Sequence, residues 1–378
     1  GENKWEISQI PRIQAALASL DSKTGAIIAL SGGTDFSYSK FNRAAQALRQ
    51  PGSSFKPFIY LKALENGYTP ATLVDDSPIV FQEAGMSKPW RPENHGGTYL
   101  GMIPLRQALY QSRNMVAIRL LQSIGVKSLI SSLPRFGFDT QNMDPNLSIA
   151  LGSHAFTPLT MATAYTVLSN GGFKVEPFLV EQIADPKGNV IYQQKHKVVC
   201  ADCAADTQTS TDNITTLAPR VVDEQTAYII DNMLKDVIRR GTGHAATVLN
   251  RSDIAGKTGT TNGPTDVWFV GYNPAIATAA WVGFDDNTML GKREFGGTAA
   301  LPIWISYMRE ALKDQPVIER TMPSGLVTAR AHADAEQASD KTDANGEFEI
   351  FRGDDAENNG SPDAQEGEAI QSGDDYLF

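Results

Sequence analysis

A serine and a lysine three positions apart carry the strongest chemical signal in this sequence. Ser53 and Lys56 lie within Arg49-Gln-Pro-Gly-Ser-Ser-Phe-Lys-Pro-Phe58. If a helix starts near Ser53, this spacing places the hydroxyl and the amine on one face, about one turn apart. Gly52 permits a tight entry into that helix, and the apolar run 58–64 would bury it. A serine is a weak nucleophile until a base takes its proton, and a lysine of lowered pKa can be that base.

Two further short motifs follow in the chain, Ser112-Arg-Asn114 and Lys257-Thr-Gly259. Each pattern is short enough to recur by chance, and Ser37-Tyr-Ser-Lys40 and Lys23-Thr-Gly25 repeat the first and third motifs. Ser37 lies in a polar link with no helix behind it, so its lysine has no fixed orientation. Lys23 lies in a predicted hairpin turn, where such residues are common. We therefore favour the later copies as the functional ones.

The elements around these motifs predict an α+β fold. Strands are expected at both ends of the body and helices in the middle, so an antiparallel sheet built from N- and C-terminal segments should be flanked by helices and a mostly helical subdomain. The predicted strands cover 13–20, 26–30, 174–183, 190–193, 256–261, 266–272 and 277–283. The predicted helices cover about 53–66, 104–125, 126–133, 158–170, 223–239 and 301–312, and the pattern of the second breaks near Ser112.

Charge and composition divide the chain unevenly. The net charge is −10, and residues 332–378 hold 14 acidic residues against Lys341 and Arg352, which leaves the rest near +2. We expect a linker from a missing upstream part at 1–10, a domain at 11–324 with a helical part at about 40–172 and a polar cysteine loop at about 194–218, and an acidic low-complexity tail at 325–378. Within that tail, the composition of residues 332–378 predicts a disordered or weakly ordered segment. A near-neutral body gives no case for nucleic-acid binding. No apolar run approaches the roughly 20 residues of a membrane span, so any membrane anchor or export signal is expected outside this fragment.

The cysteines and histidines suggest neither a metal site nor a histidine-based hydrolase. Cys200 and Cys203 are the two cysteines, and two thiolates cannot complete a four-ligand zinc site. A local disulfide in an exported protein is the favoured interpretation, and two idle thiols in a surface loop is the alternative. None of the five histidines has a base-like neighbour in sequence, and no G-x-S-x-G elbow is present. We expect no metal and no cofactor.

Longer stretches around the motifs resemble the transpeptidase domain of class A penicillin-binding proteins. The motif order is shared with class A β-lactamases, but Arg113 stands where those enzymes have Asp, and no convincing counterpart of their deacylating glutamate is found. The resemblance covers roughly residues 11–312 and is carried by Phe41-Asn-Arg-Ala44, the Ser53 motif with its flanks 49–58, Ser112-Arg-Asn-Met-Val116, the segment 151–172, Gly256-Lys-Thr-Gly-Thr-Thr261 and Asp266-Val-Trp-Phe-Val-Gly-Tyr272.

Each catalytic role is assigned from the chemistry of the side chain. Ser53 would be the nucleophile and Lys56 its base, and Lys257 would be a second cation that keeps Lys56 neutral. Ser112 would lie between the two amines and relay a proton to the leaving group. Asn114 offers an amide to the substrate backbone.

The Lys257 motif would also hold the substrate. Thr258 and Thr260 point to the same side of a strand and can donate hydroxyls to a peptide's terminal carboxylate. Gly259 leaves room for the substrate to lie alongside as an added strand. The resemblance implies that the backbone N–H groups of Ser53 and Thr260 form an oxyanion hole, worth roughly 3 kcal/mol per donor in comparable enzymes.

The resemblance implies a peptidoglycan cross-linking D,D-transpeptidase. Its substrates would be stem peptides ending in D-Ala-D-Ala, and β-lactams would acylate Ser53 as covalent inhibitors. An upstream glycosyltransferase domain, absent from this sequence, would accompany it in the full-length chain, tethered to the periplasmic face of the inner membrane. The alternatives are a D,D-carboxypeptidase or β-lactamase, and a non-catalytic β-lactam-binding sensor or scaffold.

Overall fold

A five-stranded antiparallel sheet forms the centre of the domain. The computed structural model describes residue 9 and residues 11–82, 89–200, 215–331 and 348–357. Within these residues the strands are β1 (Ile13–Asp21), β2 (Ile27–Ser31), β3 (Leu73–Asp75), β4 (Met102–Pro104), β5 (Gln182–Ala184), β6 (Val190–Gln193), β7 (His196–Val198), β8 (Thr215–Leu217), β9 (Ala255–Thr260), β10 (Asp266–Tyr272), β11 (Ile276–Phe284), β12 (Leu326–Arg330) and β13 (Phe348–Arg352). The central sheet has the order β2-β1-β11-β10-β9, which joins the first and last segments of the domain as the sequence predicts.

Helices cover both faces of this sheet. Side chains alternate along a strand, so Trp268 and Val270 of β10 face one helical layer while Val267 and Phe269 face another. The first layer holds most of the helices, and the second contains Trp304. The helices are α1 (Arg43–Gln46), α2 (Lys56–Glu65), α3 (Leu105–Tyr110), α4 (Asn114–Ile124), α5 (Val126–Ser132), α6 (Pro158–Ser169), α7 (Glu224–Arg239), α8 (Leu301–Ala311) and α9 (Gly353–Glu357). The predicted α+β class is confirmed.

Most predicted helices form close to their expected bounds. The exception is the helix expected to contain the Ser112-Arg-Asn114 motif. The helix predicted over 104–125 is two helices, α3 and α4, separated at Ser112, where the backbone φ is +61°. A serine side chain in this left-handed region is uncommon and strained. In the described residues no single helix has the length and hydropathy of a membrane span, and only α4 together with Val126–Phe136, bent by 87°, passes that test as a pair.

One strand prediction needs correction. The strand expected over 174–183 is limited to Gln182–Ala184. Before it, the backbone N–H groups of Lys174 and Phe178 donate single hydrogen bonds to the carbonyls of Pro219 and Gly25, which do not add up to a strand pairing.

The polar cysteine loop is bordered by two short parallel strands, β7 and β8. Cys200 takes part in a disulfide. Cys203 lies outside the described residues, so its pairing with Cys200 stays a prediction.

The segment beyond residue 325 is more ordered than its composition indicates. β12 and β13 pair antiparallel, with Leu326 opposite Arg352. Glu349 of β13 is buried and forms an ion pair with Arg106 of α3, which also binds Asp236 of α7 at 2.8 Å. The expectation of a disordered or weakly ordered tail is therefore wrong for residues 348–357. The parts of the tail at 332–347 and 358–378 lie outside the described residues.

Candidate active site

Ser53 lies in a single 3₁₀ turn, Gly52–Phe55, that leads directly into α2. Gly52 has φ +54°, and a Cβ at this position would lie 2.6 Å from the Thr260 carbonyl oxygen. A side chain is therefore excluded, and the turn packs backbone to backbone against the end of β9. The Trp268 indole N–H donates to the Gln50 carbonyl at 2.8 Å and anchors the approach to the turn. Ser53 is held half-buried beside the open edge of the sheet.

Lys56, at the start of α2, is completely buried. Its Nζ donates to the Ser112 carbonyl at 2.8 Å, to the Arg113 carbonyl at 3.1 Å and to Asn114 Oδ1 at 2.7 Å. Burial lowers the pKa of Lys56 well below its usual value, and the charges on Lys257 and Arg113 lower it further, whereas Asp76 raises it. The amine is therefore fixed in place and biased toward the neutral form.

Lys257 supplies a second buried amine from β9. It lies opposite Val270, so its side chain faces the main helical layer. Its Nζ donates to Ser112 Oγ at 2.8 Å and to the Thr258 carbonyl at 3.1 Å. Burial lowers the pKa of Lys257 to about 7. Ser112 thus contacts both amines, one through its hydroxyl and the other through its carbonyl oxygen.

A buried carboxylate and amide hold the break between α3 and α4, and sequence reasoning missed both. Asn94 Oδ1 accepts hydrogen bonds from the backbone N–H groups of Asn114 at 2.7 Å and Met115 at 3.3 Å, and so satisfies the start of α4. Asn94 Nδ2 donates to Asp76 Oδ1 at 2.8 Å. Asp76 is fully buried and lies 3.6 Å from Arg113 Nε. The loop that contains Asn94 shows only a Pro- and Gly-rich composition, so the sequence offers little signal for this role.

The outer edge of β9 carries backbone groups that are not paired with β10. Thr261 N–H donates to the Asp266 carbonyl at 3.1 Å, which makes this a hydrogen-bonded pair between β9 and β10. Antiparallel pairs alternate, so the N–H and C=O groups of Thr260 and Thr258 point away from β10. This edge can accept an extended chain, and the Thr260 N–H faces the turn that carries Ser53.

The three residues after Lys257 have distinct surroundings. Thr260 Oγ1 accepts a hydrogen bond from Gly296 N–H at 3.1 Å, which leaves its own proton available to a ligand. Thr258 Oγ1 lies 2.6 Å from Thr242 Oγ1. A Cβ on Gly259 would lie 2.3 Å from the Pro51 carbonyl oxygen. The position that a Gly259 side chain would take is thus filled by the approach to Ser53, and the expectation that a substrate lies alongside this glycine stays a prediction.

The structure brings the predicted set together from three elements. Lys56, Ser112, Asn114 and Lys257 are joined by direct hydrogen bonds. The Ser53 turn and β9 meet through close backbone packing. The other copies of the motifs do not join them, because Lys23 and Ser37 are exposed in turns capped by neighbouring aspartates. Among the described residues no group of three or more His, Cys, Asp or Glu is placed to bind a metal ion.

Comparison with known proteins agrees with this arrangement. The family described as penicillin binding protein transpeptidase domain matches residues 15–304. Penicillin-binding protein 1A from Pseudomonas aeruginosa is 46% identical over 379 residues, which cover 92% of this chain and 46% of that protein. The protein of the same name from Neisseria lactamica is 45% identical over 325 residues, covering 86% of this chain and 39% of that protein. The chain therefore spans less than half the length of these two relatives.

Solved structures give the same result at the level of the fold. Penicillin-binding protein 1A from Haemophilus influenzae matches with a TM-score of 0.84 and 38% identity, over 92% of this chain and 54% of that one. The PonA1 protein from Mycobacterium tuberculosis, solved in complex with penicillin V, matches with a TM-score of 0.67 and 27% identity, over 83% of this chain and 81% of that one. The chain belongs to the penicillin-binding protein transpeptidase family and is homologous to the class A penicillin-binding proteins 1A.

Proposed function

We propose that this chain is a peptidoglycan D,D-transpeptidase domain in which Ser53 is the nucleophile. The observation that carries the proposal is the contact of Ser112 with two buried amines, Lys56 and Lys257, next to the Ser53 turn. Burying two amines side by side is costly for folding, so their retention favours a chemical role. Family membership supplies the reaction class, and the geometry suggests how it is divided among residues.

In the acylation step Ser53 Oγ attacks the carbonyl carbon between the last two residues of a stem peptide ending in D-Ala-D-Ala. Lys56 Nζ takes the hydroxyl proton as the O–C bond forms. Lys56 must give up one of its three hydrogen bonds to present a lone pair, and its lowered pKa makes this neutral form accessible. The C–N bond then breaks, and the proton passes through Ser112 Oγ to the leaving D-Ala amine.

Charge that develops on the carbonyl oxygen would be stabilised by two backbone N–H groups. Ser53 N–H lies in the first turn of a helix, where amides lack intrahelical partners, and Thr260 N–H points to the free edge of β9. The close packing of Gly52 on Thr260 sets the distance between these two donors. Asn114 and the Thr258 and Thr260 hydroxyls would hold the donor backbone and its terminal carboxylate.

In the transfer step an amine of a neighbouring stem attacks the acyl-Ser53 ester. The amine loses a proton, a new C–N bond forms, and Ser53 Oγ leaves and is reprotonated. β-Lactams would acylate the same oxygen. In the full-length chain we propose an upstream glycosyltransferase domain and a membrane tether, with this domain on the periplasmic face of the inner membrane.

The test is labelling with a fluorescent penicillin, read by gel and by intact mass. Wild type should gain one adduct, and Ser53→Ala should gain none while keeping its thermal unfolding transition. Ser37→Ala is a matched control, because Ser37 heads the other S-x-x-K copy and lies in an exposed loop. An unlabelled wild type, or equal labelling of Ser53→Ala, contradicts the proposal. Products formed from stem peptide with and without an acceptor amine then separate transfer from hydrolysis.

A further inference from the structure

Thr242, in the turn that follows α7, lies against the hydroxyl of Thr258. The oxygens Thr242 Oγ1 and Thr258 Oγ1 are 2.6 Å apart, so one hydroxyl donates its proton to the other. Thr258 is buried, whereas Thr242 is exposed. The role proposed above for Thr258, a donor to the terminal carboxylate of the substrate, therefore depends on which of the two hydroxyls is the donor in this pair.

The turn that carries Thr242 is held on two sides by backbone contacts. Thr242 N–H donates to the Tyr110 carbonyl, at the end of α3, at 3.2 Å. A Cβ on Gly241 would lie 2.5 Å from the same carbonyl oxygen, so the turn packs closely against α3. On the other side, a Cβ on Gly297 would lie 3.0 Å from the Thr242 carbonyl oxygen. The side chain of Thr242 is therefore placed against Thr258 from a fixed backbone.

The neighbouring hydroxyl on β9 shows which orientation suits an anion. Thr260 Oγ1 accepts a hydrogen bond from Gly296 N–H, so its own proton is available to a ligand. If Thr242 donates to Thr258, both threonine hydroxyls of β9 accept a hydrogen bond from outside the strand, and both keep a proton to donate. In the reverse orientation, the Thr258 proton is used by Thr242, and a carboxylate would meet only an oxygen lone pair. A bound carboxylate therefore selects the orientation in which Thr242 donates.

A hydrogen bond from Thr242 would improve Thr258 as a donor in two ways. A threonine hydroxyl rotates freely about its C–O bond, and a bond accepted from a fixed neighbour restricts that rotation. Hydrogen bonds in a chain also polarise one another, which strengthens the bond that Thr258 donates. Bonds to a charged acceptor are about twice as strong as bonds between neutral groups, so the benefit is largest for an anionic ligand.

We propose that Thr242 is a positioning residue that donates to Thr258 Oγ1 and so directs the Thr258 proton toward the terminal carboxylate of the acyl donor. This inference rests on the proposed acyl transfer to Ser53 and on the proposed contact of Thr258 with that carboxylate. It concerns the preference for anionic donors, and the formation of the ester itself does not require Thr242.

The experiment compares benzylpenicillin with its methyl ester, which lacks the negative charge and is otherwise the same molecule. Second-order acylation rate constants are measured for wild type, Thr242→Val, Thr242→Ser, Thr258→Val and the double variant Thr242→Val/Thr258→Val. Valine keeps the shape of threonine and removes the hydroxyl. Thr247→Val is the matched control, because Thr247 is an exposed threonine nearby in the chain whose Oγ1 donates to the His244 carbonyl. Thermal unfolding of each variant confirms that it is folded.

Thr242→Val should slow acylation by benzylpenicillin about 3- to 10-fold, the size of one lost hydrogen bond, and leave the methyl ester within about 2-fold. Thr242→Ser and Thr247→Val should react like wild type with both compounds. Because Thr242 acts through Thr258, the double variant should react with benzylpenicillin within about 2-fold of Thr258→Val alone. If the ester reacts too slowly to measure, this double-variant comparison decides by itself.

Three results overturn the proposal while leaving acyl transfer intact. The first is equal slowing of the two penicillins by Thr242→Val, which would indicate a general structural effect. The second is an unchanged or faster reaction of Thr242→Val with benzylpenicillin. The third is a double variant whose loss is the product of the two single losses, because Thr242 would then act independently of Thr258. A wild type that reacts with neither penicillin overturns the acyl-transfer function itself, and this inference with it.

Discussion

Lys257 Nζ donates a hydrogen bond to Ser112 Oγ at 2.8 Å, although 145 positions separate the two residues in the chain. Neither group would be stable in this place alone, since an unpaired buried amine and a serine at φ +61° both cost free energy. Their contact joins the edge of the sheet to the break between α3 and α4. The stability of the domain and the pH dependence of its chemistry should therefore depend on the groups gathered around this contact.

Lys257 should reduce the stability of the domain at neutral pH. Its pKa is about 7 in the folded state against 10.5 for an unperturbed lysine, so between these values the unfolded chain binds more protons. The free energy of unfolding therefore falls as the pH decreases from above 10 toward 7. Lys257→Met should raise it by roughly 1–4 kcal/mol at pH 7, less near pH 10, and should abolish penicillin labelling. Urea unfolding at both pH values checks this, and a less stable variant at pH 7 counts against it.

Gly52→Ala should separate Ser53 from β9. The added Cβ would lie 2.6 Å from the Thr260 carbonyl oxygen, in a backbone conformation with φ +54°. We expect penicillin acylation to slow at least about 10-fold through displacement of an oxyanion donor. Gly67→Ala is the matched control, because φ is +88° there but nothing lies within 4 Å of the new Cβ. It should cost about 1–2 kcal/mol of stability through strain alone and leave acylation unchanged. Equal acylation in the two variants would refute the packing argument.

Asp76 and Arg113 should shift the pH dependence of acylation in opposite directions. The charge on Asp76 raises the pKa of Lys56, and the charge on Arg113 lowers it. Acylation is lost at low pH as Lys56 becomes protonated, so Asp76→Asn should move the acid limb to lower pH. Arg113→Met should move it to higher pH. Stopped-flow measurement of the acylation rate over a pH series locates the acid limb of each variant. Shifts of the same sign in the two variants would contradict Lys56 as the base.

Glu349 should be required for full stability even though it lies in a segment of acidic composition. Its carboxylate binds the buried Arg106, whose Nε lies 2.5 Å from Glu349 Oε2. Glu349→Ala leaves that guanidinium with Asp236 as its one carboxylate partner among the described residues, and we expect a loss of roughly 3 kcal/mol in the free energy of unfolding. Phe348→Thr, at a neighbouring side chain that is 67% exposed, should change it by less than about 1 kcal/mol. Urea unfolding compares them, and similar losses would argue against the ion pair.

Local patterns in the sequence account for most of the fold. The strands of the central sheet and the helices α2, α6 and α7 follow apolar runs bounded by turn and helix-end signals, and Gly171 and Gly172 after α6 both have positive φ, as expected of a helix stop. Choosing Ser53 over Ser37 also needs only local context, namely the apolar helix behind it.

The parts that escape sequence reasoning depend on contacts between distant residues. Glu349 looks like one more acidic residue in a polar tail until Arg106, 243 positions away, neutralises it. Asn94 and Asp76 look like loop residues, and their role exists only because α4 begins beside them. The motif identifies Gly259, but it gives no sign that a side chain there would collide with the Pro51 carbonyl. Such roles are set by packing, which no local pattern encodes.

The edge of β9 that has no neighbouring strand in the described sheet also affects how this domain behaves in solution. A row of free N–H and C=O groups is a template for another copy of the same chain as much as for a ligand, and can seed aggregation. The strand is only six residues long and contains Gly256 and Gly259, which weakens such pairing. A ligand that fills this edge should therefore raise the solubility of concentrated protein as well as occupy the site.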